Sequence, residues 1–361
     1  MRSSLPLARR STAIAANVGL GDRLFATSEE REFARRIDDG LALVEAGLLR
    51  EVAFGDDVAD VTGRYLLDAG GKRVRPMLAL LTAQLGDGNT DRVVTAAQVT
   101  EITHLASLYH DDVMDEADLR RGVPSAHHVW GNSVAILTGD LLFARASQLV
   151  AALGERAIRL QADTFERLVL GQLHETVGPR PDEDPIEHYL GVLADKTGSL
   201  ISAAAQMGVI FSNAPHEYEG AVRTFGEKVG VAFQLVDDVI DLSPQPEETG
   251  KLAGTDLRAG VQTLPLLRLR RLAETDAESA ALLARIECDV DDSASVAQAA
   301  ETARDLDDAI AQLREHEVTQ ATLEEARRWS REAVEALEPL PIGPVRKALT
   351  RFAESVVERT S

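Results

Sequence analysis

The chain has 361 residues, 45% of them apolar and 27% charged, enough for a substantial core in one large domain or two. A net charge of −21 argues against a nucleic-acid partner, and makes an anionic substrate awkward unless metals or local cations reverse the field. One cysteine, Cys288, leaves no internal disulfide or cysteine metal site and fits a reducing, cytoplasmic setting.

Residues 1–28 are read as a disordered tail. Met1 to Phe25 carries Arg2, Arg9, Arg10 and Arg23 against Asp22 as its sole acid, a weak transit-peptide composition without the apolar core of a secretory signal. No run of about 18 apolar residues is found, so no membrane span is expected. Residues 29–361 are read as one domain. Glu29–Glu51 is an amphipathic helix with Phe33, Ile37, Leu41, Leu43 and Val44 on its apolar stripe. Gly70-Gly71 ends a helix, Pro76 opens another, and Gly86-Asp-Gly-Asn89 closes it. The central helix runs through Glu101–Asp115. Helical text follows over Val134–Leu153, Ala157–Val177, Lys196–Ser212, Pro215–Ser243 and from Val261 onward. Loops are expected at Gly178–Pro185, Pro244–Thr255, Asp289–Ser295 and Pro339–Pro344, and Asp276–Glu338 reads as peripheral helices. No stretch alternates with a period of two, so the fold class is all-α.

Two stretches carry the chemistry. In Glu101-Ile-Thr-His-Leu-Ala-Ser-Leu-Tyr-His-Asp-Asp-Val-Met-Asp115 the apolar spacing is helical, so Asp111 and Asp115 share a face with Asp112 beside them. An acidic helix end is ordinarily a solvated face. Here Asp237-Asp238-Val239-Ile240-Asp241 repeats the pattern after a second apolar helical run. Two such clusters suit Mg²⁺, which prefers oxygen ligands, keeps several waters and is shared with substrate phosphates.

Only five of the 38 basic residues are lysine: Lys72, Lys196, Lys228, Lys251 and Lys347. Lys72, Arg73 and Arg75 crowd a helix start, where free N–H groups and the dipole favour phosphate. Arg120-Arg121 offers guanidinium forks for phosphate oxygens, or neutralises the acids before it. Lys196-Thr197, Lys251, Gln234 and His104 are weaker on their own. Glu101-x-x-His104 evokes a di-iron bundle, but no second Glu-x-x-His exists.

Taken in order, these motifs resemble those of the all-trans isoprenyl (polyprenyl) diphosphate synthases from about Arg31 onward. The resemblance rests on Gly-Gly-Lys-Arg-x-Arg-Pro, His-x-x-Ser-Leu-x-His-Asp-Asp, Arg-Arg-Gly, Lys-Thr-x-Ser-Leu, Phe-Gln-x-x-Asp-Asp and Gly-x-Asp-Leu-x-x-Gly-x-x-Thr-Leu-Pro. It implies a single-domain helical bundle around a central cavity, working as a homodimer on isopentenyl diphosphate and an allylic diphosphate. It implies that Asp111, Asp112, Asp115, Asp237 and Asp241 hold three Mg²⁺, with Asp238 and Lys196 also in the catalytic set. Arg120, Lys196, Thr197, Gln234 and Lys251 would bind the allylic substrate; Lys72, Arg75, His104 and Arg121 would bind isopentenyl diphosphate. Peripheral membrane contact would serve product release.

Two departures stand out. Val261-Gln262 occupies a place where members often carry lysine, and Gln172 departs from the Gly-Glu-x-x-Gln of long-chain members. Short-chain members tend to place an aromatic near Ala106 or Ser107. Along the helix back from Asp111, Ser107, Ala106, Thr103, Thr100, Val99 and Ala96 carry no ring over 15 residues, about 22 Å at ~1.5 Å per residue. A medium- or long-chain product is expected, with geranylgeranyl diphosphate as the shorter alternative. A terpene cyclase is disfavoured by Asp237–Asp241 and Lys72–Arg75, and a non-catalytic subunit by two intact acidic motifs.

Overall fold

The computed structural model describes residues 27–243, 253–287 and 296–359, with 296–304 as backbone alone. The N-terminal tail to residue 26, Lys251, Cys288 and the expected loop at 289–295 lie outside the described residues, as does most of the loop at 244–255.

Helix α1 (Ser28–Glu51) starts at a capping box, in which the Glu30 amide donates to Thr27 Oγ1 at 3.1 Å and the Thr27 amide to Glu30 Oε2 at 2.9 Å. Its buried stripe runs through Phe33, Ile37, Val44 and Leu48; Leu43, expected on that stripe, is 55% exposed. Helices α2 (Asp57–Asp68) and α3 (Val74–Ala83) flank the double glycine. Helix α4 (Asp91–Met114) is the axis of the bundle. It is buried on nearly every side, as its lack of a polar face demands, and packs on α1, on α3 and on two later helices.

Beyond Asp115 the central helix ends and the chain turns back on itself. Glu116 turns left-handed at φ 49°, and Leu119–Arg120 pairs antiparallel with Val123–Pro124 as strands β1 and β2. Arg121 at φ 54° and Gly122 at φ 77° form the turn, the two left-handed residues that a tight hairpin needs. These strands are only two residues each, too short for any alternation to register in sequence.

Helices α5 (Ala126–Trp130), α6 (Asn132–Leu153) and α7 (Glu155–Val177) follow. By length and composition α6 is apolar enough to cross a membrane, contrary to the sequence reading, but it lies along α4 within the bundle. Helix α8 (Pro185–Leu193) passes into a π-helical turn, Ala194–Gly198, and then α9 (Ser199–Phe211). The second acidic cluster ends α10 (Tyr218–Asp241). Helices α11 (Thr255–Arg258), α12 (Leu264–Ala273), α13 (Ala277–Ile286), α14 (Val296–Glu315), α15 (Glu317–Ala336) and α16 (Pro344–Glu358) complete the chain. Helix α12 starts at Leu264 rather than Val261.

One large core joins α1 to α10 with α15 and α16; a small satellite core around Leu242, Leu269, Leu282, Ile310 and Leu313 holds α12 to α14. The expected peripheral placement of 276–338 holds for α13. Helix α15 is different: it lies along α10 and buries Thr322, Ala326, Ser330 and Ala333.

Candidate active site

A cavity of about 1250 Å³ opens between α4, α7, α8, the π-helical turn and α10. Asp111 and Asp115 at the end of α4, and Asp237, Asp238 and Asp241 at the end of α10, line this one space. Two motifs 126 positions apart thus meet across a single opening, because the axial helix and α10 both terminate at its rim.

The carboxylates differ in environment. Burial pushes Asp111 up to about 6, with Lys196 opposing and Asp115 adding to the shift. Asp237 is raised by burial too, against the pull of Arg359 and Lys72; Arg359 Nη1 stands 3.1 Å from its Oδ1. Asp241 accepts the Asp256 amide at 3.0 Å. Asp112 is turned away from the cavity: fully buried, it takes the Arg120 Nε–H at 2.6 Å on Oδ1, while Oδ2 has no hydrogen-bond partner. Asp238 accepts the Tyr189 hydroxyl at 2.7 Å, and burial raises it to about 7. Asp112 therefore braces the end of α4 from behind, while Asp238, in the cavity wall, is tied to Tyr189.

Three cationic side chains, Lys72, Arg75 and Arg121, line the same cavity together with His104. Burial is the leading cause that lowers the pKa of each, and it holds His104 well below the usual imidazole range, where it is neutral. Arg75 comes down to about 10, and its Nε has no partner. The nearby carboxylate, Glu101, is already spent on Arg73 at 3.0 Å, and Arg73 also pairs with Glu45 at 2.8 Å. Arg73 is thus a structural tie, whereas the other cations form a hole short of negative charge. Arg121 is aimed by donating to the Leu66 carbonyl at 2.6 Å and to that of Gly70. Gly71 makes the cluster possible, since at φ 149° a Cβ would stand 2.5 Å from Arg73 and 3.0 Å from Arg121.

Lys196 projects from the π-helical turn and donates to Glu175. An extra residue in a turn re-aims a side chain, a common device at functional sites. Here Gly171 lets the turn close in: a Cβ there would meet the Lys196 backbone nitrogen at 2.6 Å. Thr197 and Gln234 also line the cavity, as do Val261 and Gln262, so no cation stands where a lysine is usual.

Comparison with known proteins agrees with this geometry. The family described as Polyprenyl synthetase matches residues 57–303. A nonaprenyl diphosphate synthase of Mycobacterium tuberculosis is 47% identical over 81% of this chain and 84% of its own length. The chain belongs to the polyprenyl synthetase family. Among solved structures, a geranylgeranyl pyrophosphate synthase of Corynebacterium glutamicum, complexed with calcium and isoprenyl diphosphate, superposes with a TM-score of 0.76 at 42% identity. The match covers 91% of this chain and 97% of that one. A decaprenyl diphosphate synthase of Rhodobacter capsulatus gives 0.78 at 33% identity, covering 92% and 99%.

The donor set of this synthetase suits a hard divalent cation. Its exposed oxygens are all carboxylates, and burial has left Asp111 and Asp237 wanting positive charge. Among the described residues no three His, Cys, Asp or Glu side chains form a group that could hold a metal alone.

Three residues of the site carry no sequence signal on their own: Arg359, Tyr189 and Glu175. Phe233 is flanked by Lys72, 5.4 Å from its ring centre, and by Arg359 at 5.0 Å. Its place beside Gln234 in the second motif is the one clue to it. Of the three residues expected to set product length, Ser107 lines the cavity; Ala106 and Thr103 are fully buried below it.

Proposed function

We propose that this synthetase condenses isopentenyl diphosphate with an allylic diphosphate to give a medium- or long-chain all-trans polyprenyl diphosphate. The observation that carries this reading is the pairing of two carboxylate-tipped helix ends with a separate cationic hole in one cavity. Magnesium, three ions in the fullest occupancy, would be held by Asp111, Asp115, Asp237 and Asp241, with Asp112 holding Arg120 in place behind them. Bound there, it supplies Lewis-acid stabilisation of diphosphate as a leaving group.

The chain's own residues do the rest. Arg120, Lys196, Thr197 and Gln234 orient the allylic diphosphate, joined by Lys251, which lies outside the described residues. Lys72, Arg75 and Arg121 bind the diphosphate of isopentenyl diphosphate, and neutral His104 donates a hydrogen bond to it. The allylic C–O bond breaks and diphosphate leaves with the electron pair. The isopentenyl double bond then attacks the allylic cation, and the departing diphosphate takes up the proton released. Leu168, Val192, Leu200 and Ile201 keep water from the cation.

The names of the relatives support the longer product; the Corynebacterium glutamicum neighbour favours geranylgeranyl diphosphate as the second reading. Labelled isopentenyl diphosphate with magnesium and a farnesyl primer, followed by chromatography of the dephosphorylated products, decides between them. Products longer than geranylgeranyl support the reading, and a product that stops at geranylgeranyl overturns it in favour of the second.

We also propose a homodimer. Ile136, Leu137 and Leu141 on α6 and Ile158, Phe165 and Val169 on α7 are large, apolar and exposed, forming a two-helix surface that a second copy would bury. A cytoplasmic location with transient membrane contact during product release completes the proposal; cell fractionation tests it.

A further inference from the structure

Lys196 owes its direction to a turn held from outside. The π-helical turn Ala194–Gly198 has no side-chain cap of its own. It is wedged between two helices that meet it through glycines. On one side, a Cβ at Gly171 of α7 would stand 2.6 Å from the Lys196 nitrogen. On the other, a Cβ at Gly230 of α10 would stand 2.7 Å from the Gly198 Cα. Such contacts bring backbones close but offer no side chain to fix how they sit. Arg167 of α7 supplies one. It donates from Nε to Asp195 Oδ1 at 2.7 Å and from Nη2 to the Ala194 carbonyl at 3.4 Å. The same guanidinium donates to Glu227 of α10, with Nη2 3.0 Å from Oε1 and Nη1 3.5 Å from Oε2.

Lys196 and Thr197 line the cavity, whereas Arg167, Asp195 and Glu227 are absent from its wall. Arg167 thus reaches the site only through the turn. Its side chain is 37% exposed, so these ion pairs contribute little net stability. What a planar fork with fixed donor directions does provide is position. Lys196 in turn is one of the charges acting on Asp111, so a shift of the turn is felt at the acidic cluster. We infer that Arg167 is a positioning residue for the allylic substrate, fastening the π-helical turn between α7 and α10 so that Lys196 points at the diphosphate site. This rests on the allylic-diphosphate role proposed above for Lys196.

Calorimetry on the full-length chain with magnesium and farnesyl thiodiphosphate, an unreactive allylic analogue, tests this. Arg167→Ala is expected to weaken binding about fivefold and Lys196→Ala, which loses a charge-assisted hydrogen bond, about tenfold. The double variant is expected to bind within about twofold of Lys196→Ala, because the arginine acts through that lysine. In Arg167→Ala saturated with the analogue, affinity for isopentenyl diphosphate should stay within about twofold of the wild type, a selectivity that general loosening of the fold would not give. Independent effects, with the double variant about fiftyfold weaker than the wild type, overturn the proposal. So does an unchanged analogue affinity in Arg167→Ala, or an equal loss for isopentenyl diphosphate. Where thermal melting shows that Arg167→Ala fails to fold, Asp195→Ala takes its place in the same cycle with the same expectations. A wild-type chain that binds the analogue yet makes no product from labelled isopentenyl diphosphate and a farnesyl primer overturns the prenyl-transfer reading instead, a separate outcome.

Discussion

Arg359 Nη1 lies 3.1 Å from Asp237 Oδ1, while the same guanidinium sits 5.0 Å from the centre of the Phe233 ring. The last helix thus delivers a cation to the carboxylate that a metal would claim. The two compete for one oxygen. Replacing Arg359 with Ala should raise the magnesium affinity of the substrate-free protein by about threefold, in keeping with a half-exposed ion pair worth under ~1 kcal/mol. Isothermal titration calorimetry reads this directly, and unchanged affinity would show the pair to be incidental.

Asp111→Ala and Asp237→Ala should each lower kcat by about 10²-fold or more, since each removes an oxygen from the stabilisation of the leaving diphosphate. Asp112→Asn should act differently. It keeps the shape but releases Arg120, so a rise in KM for the allylic substrate is expected to exceed the fall in kcat. Steady-state kinetics on the three variants separates the roles.

These acidic motifs were legible in sequence because helical spacing alone puts Asp111 and Asp115 on one face. Their meeting across a cavity was not, since it depends on how α4 and α10 pack. The hairpin was hidden for another reason: Arg120 and Arg121 owe their placement to a left-handed turn of two residues, too local for any periodicity. Arg359 was invisible because nothing near it in the chain marks it; only the docking of α16 brings it to Phe233. The ringless stretch from Ser107 to Ala96 likewise gave no sign that Gln161 of a neighbouring helix donates to Thr103 there.

Asp238 gives a pH signature with a definite sign. Burial raises it to about 7 in the folded chain, so between its ordinary value and that point the folded state holds a proton the unfolded state has lost. Its contribution to stability is therefore greatest in acid and declines as pH rises toward 7. Asp238→Asn removes this dependence while keeping an acceptor for Tyr189. The melting temperature of the variant relative to wild type should climb between pH 4 and pH 8; a constant difference would contradict the buried-acid picture.

Asp111 adds a second pH effect, on activity. As pH falls through about 6 it takes up a proton, and metal loses a ligand. The acid limb of kcat/KM should lie near 6 and move to lower pH as magnesium is raised. A limb indifferent to magnesium would assign the titration elsewhere.

Leu137 is 60% exposed, and Phe165 lies on the adjacent helix of the same apolar face. Leu137→Glu together with Phe165→Glu should convert a dimer to a monomer in light scattering at micromolar concentration, because two buried charges oppose association. A dimer that survives both changes would place the interface elsewhere.

The cationic hole has a thermodynamic corollary. Lys72 and Arg75 come from the start of α3, His104 from the axial helix and Arg121 from the hairpin, so no short piece of chain holds more than a fragment of it. Unfolding scatters these four groups and abolishes the affinity they create together. Inorganic diphosphate should accordingly act as a folding ligand, shifting the melting curve upward with each increment of concentration even in the presence of a chelator.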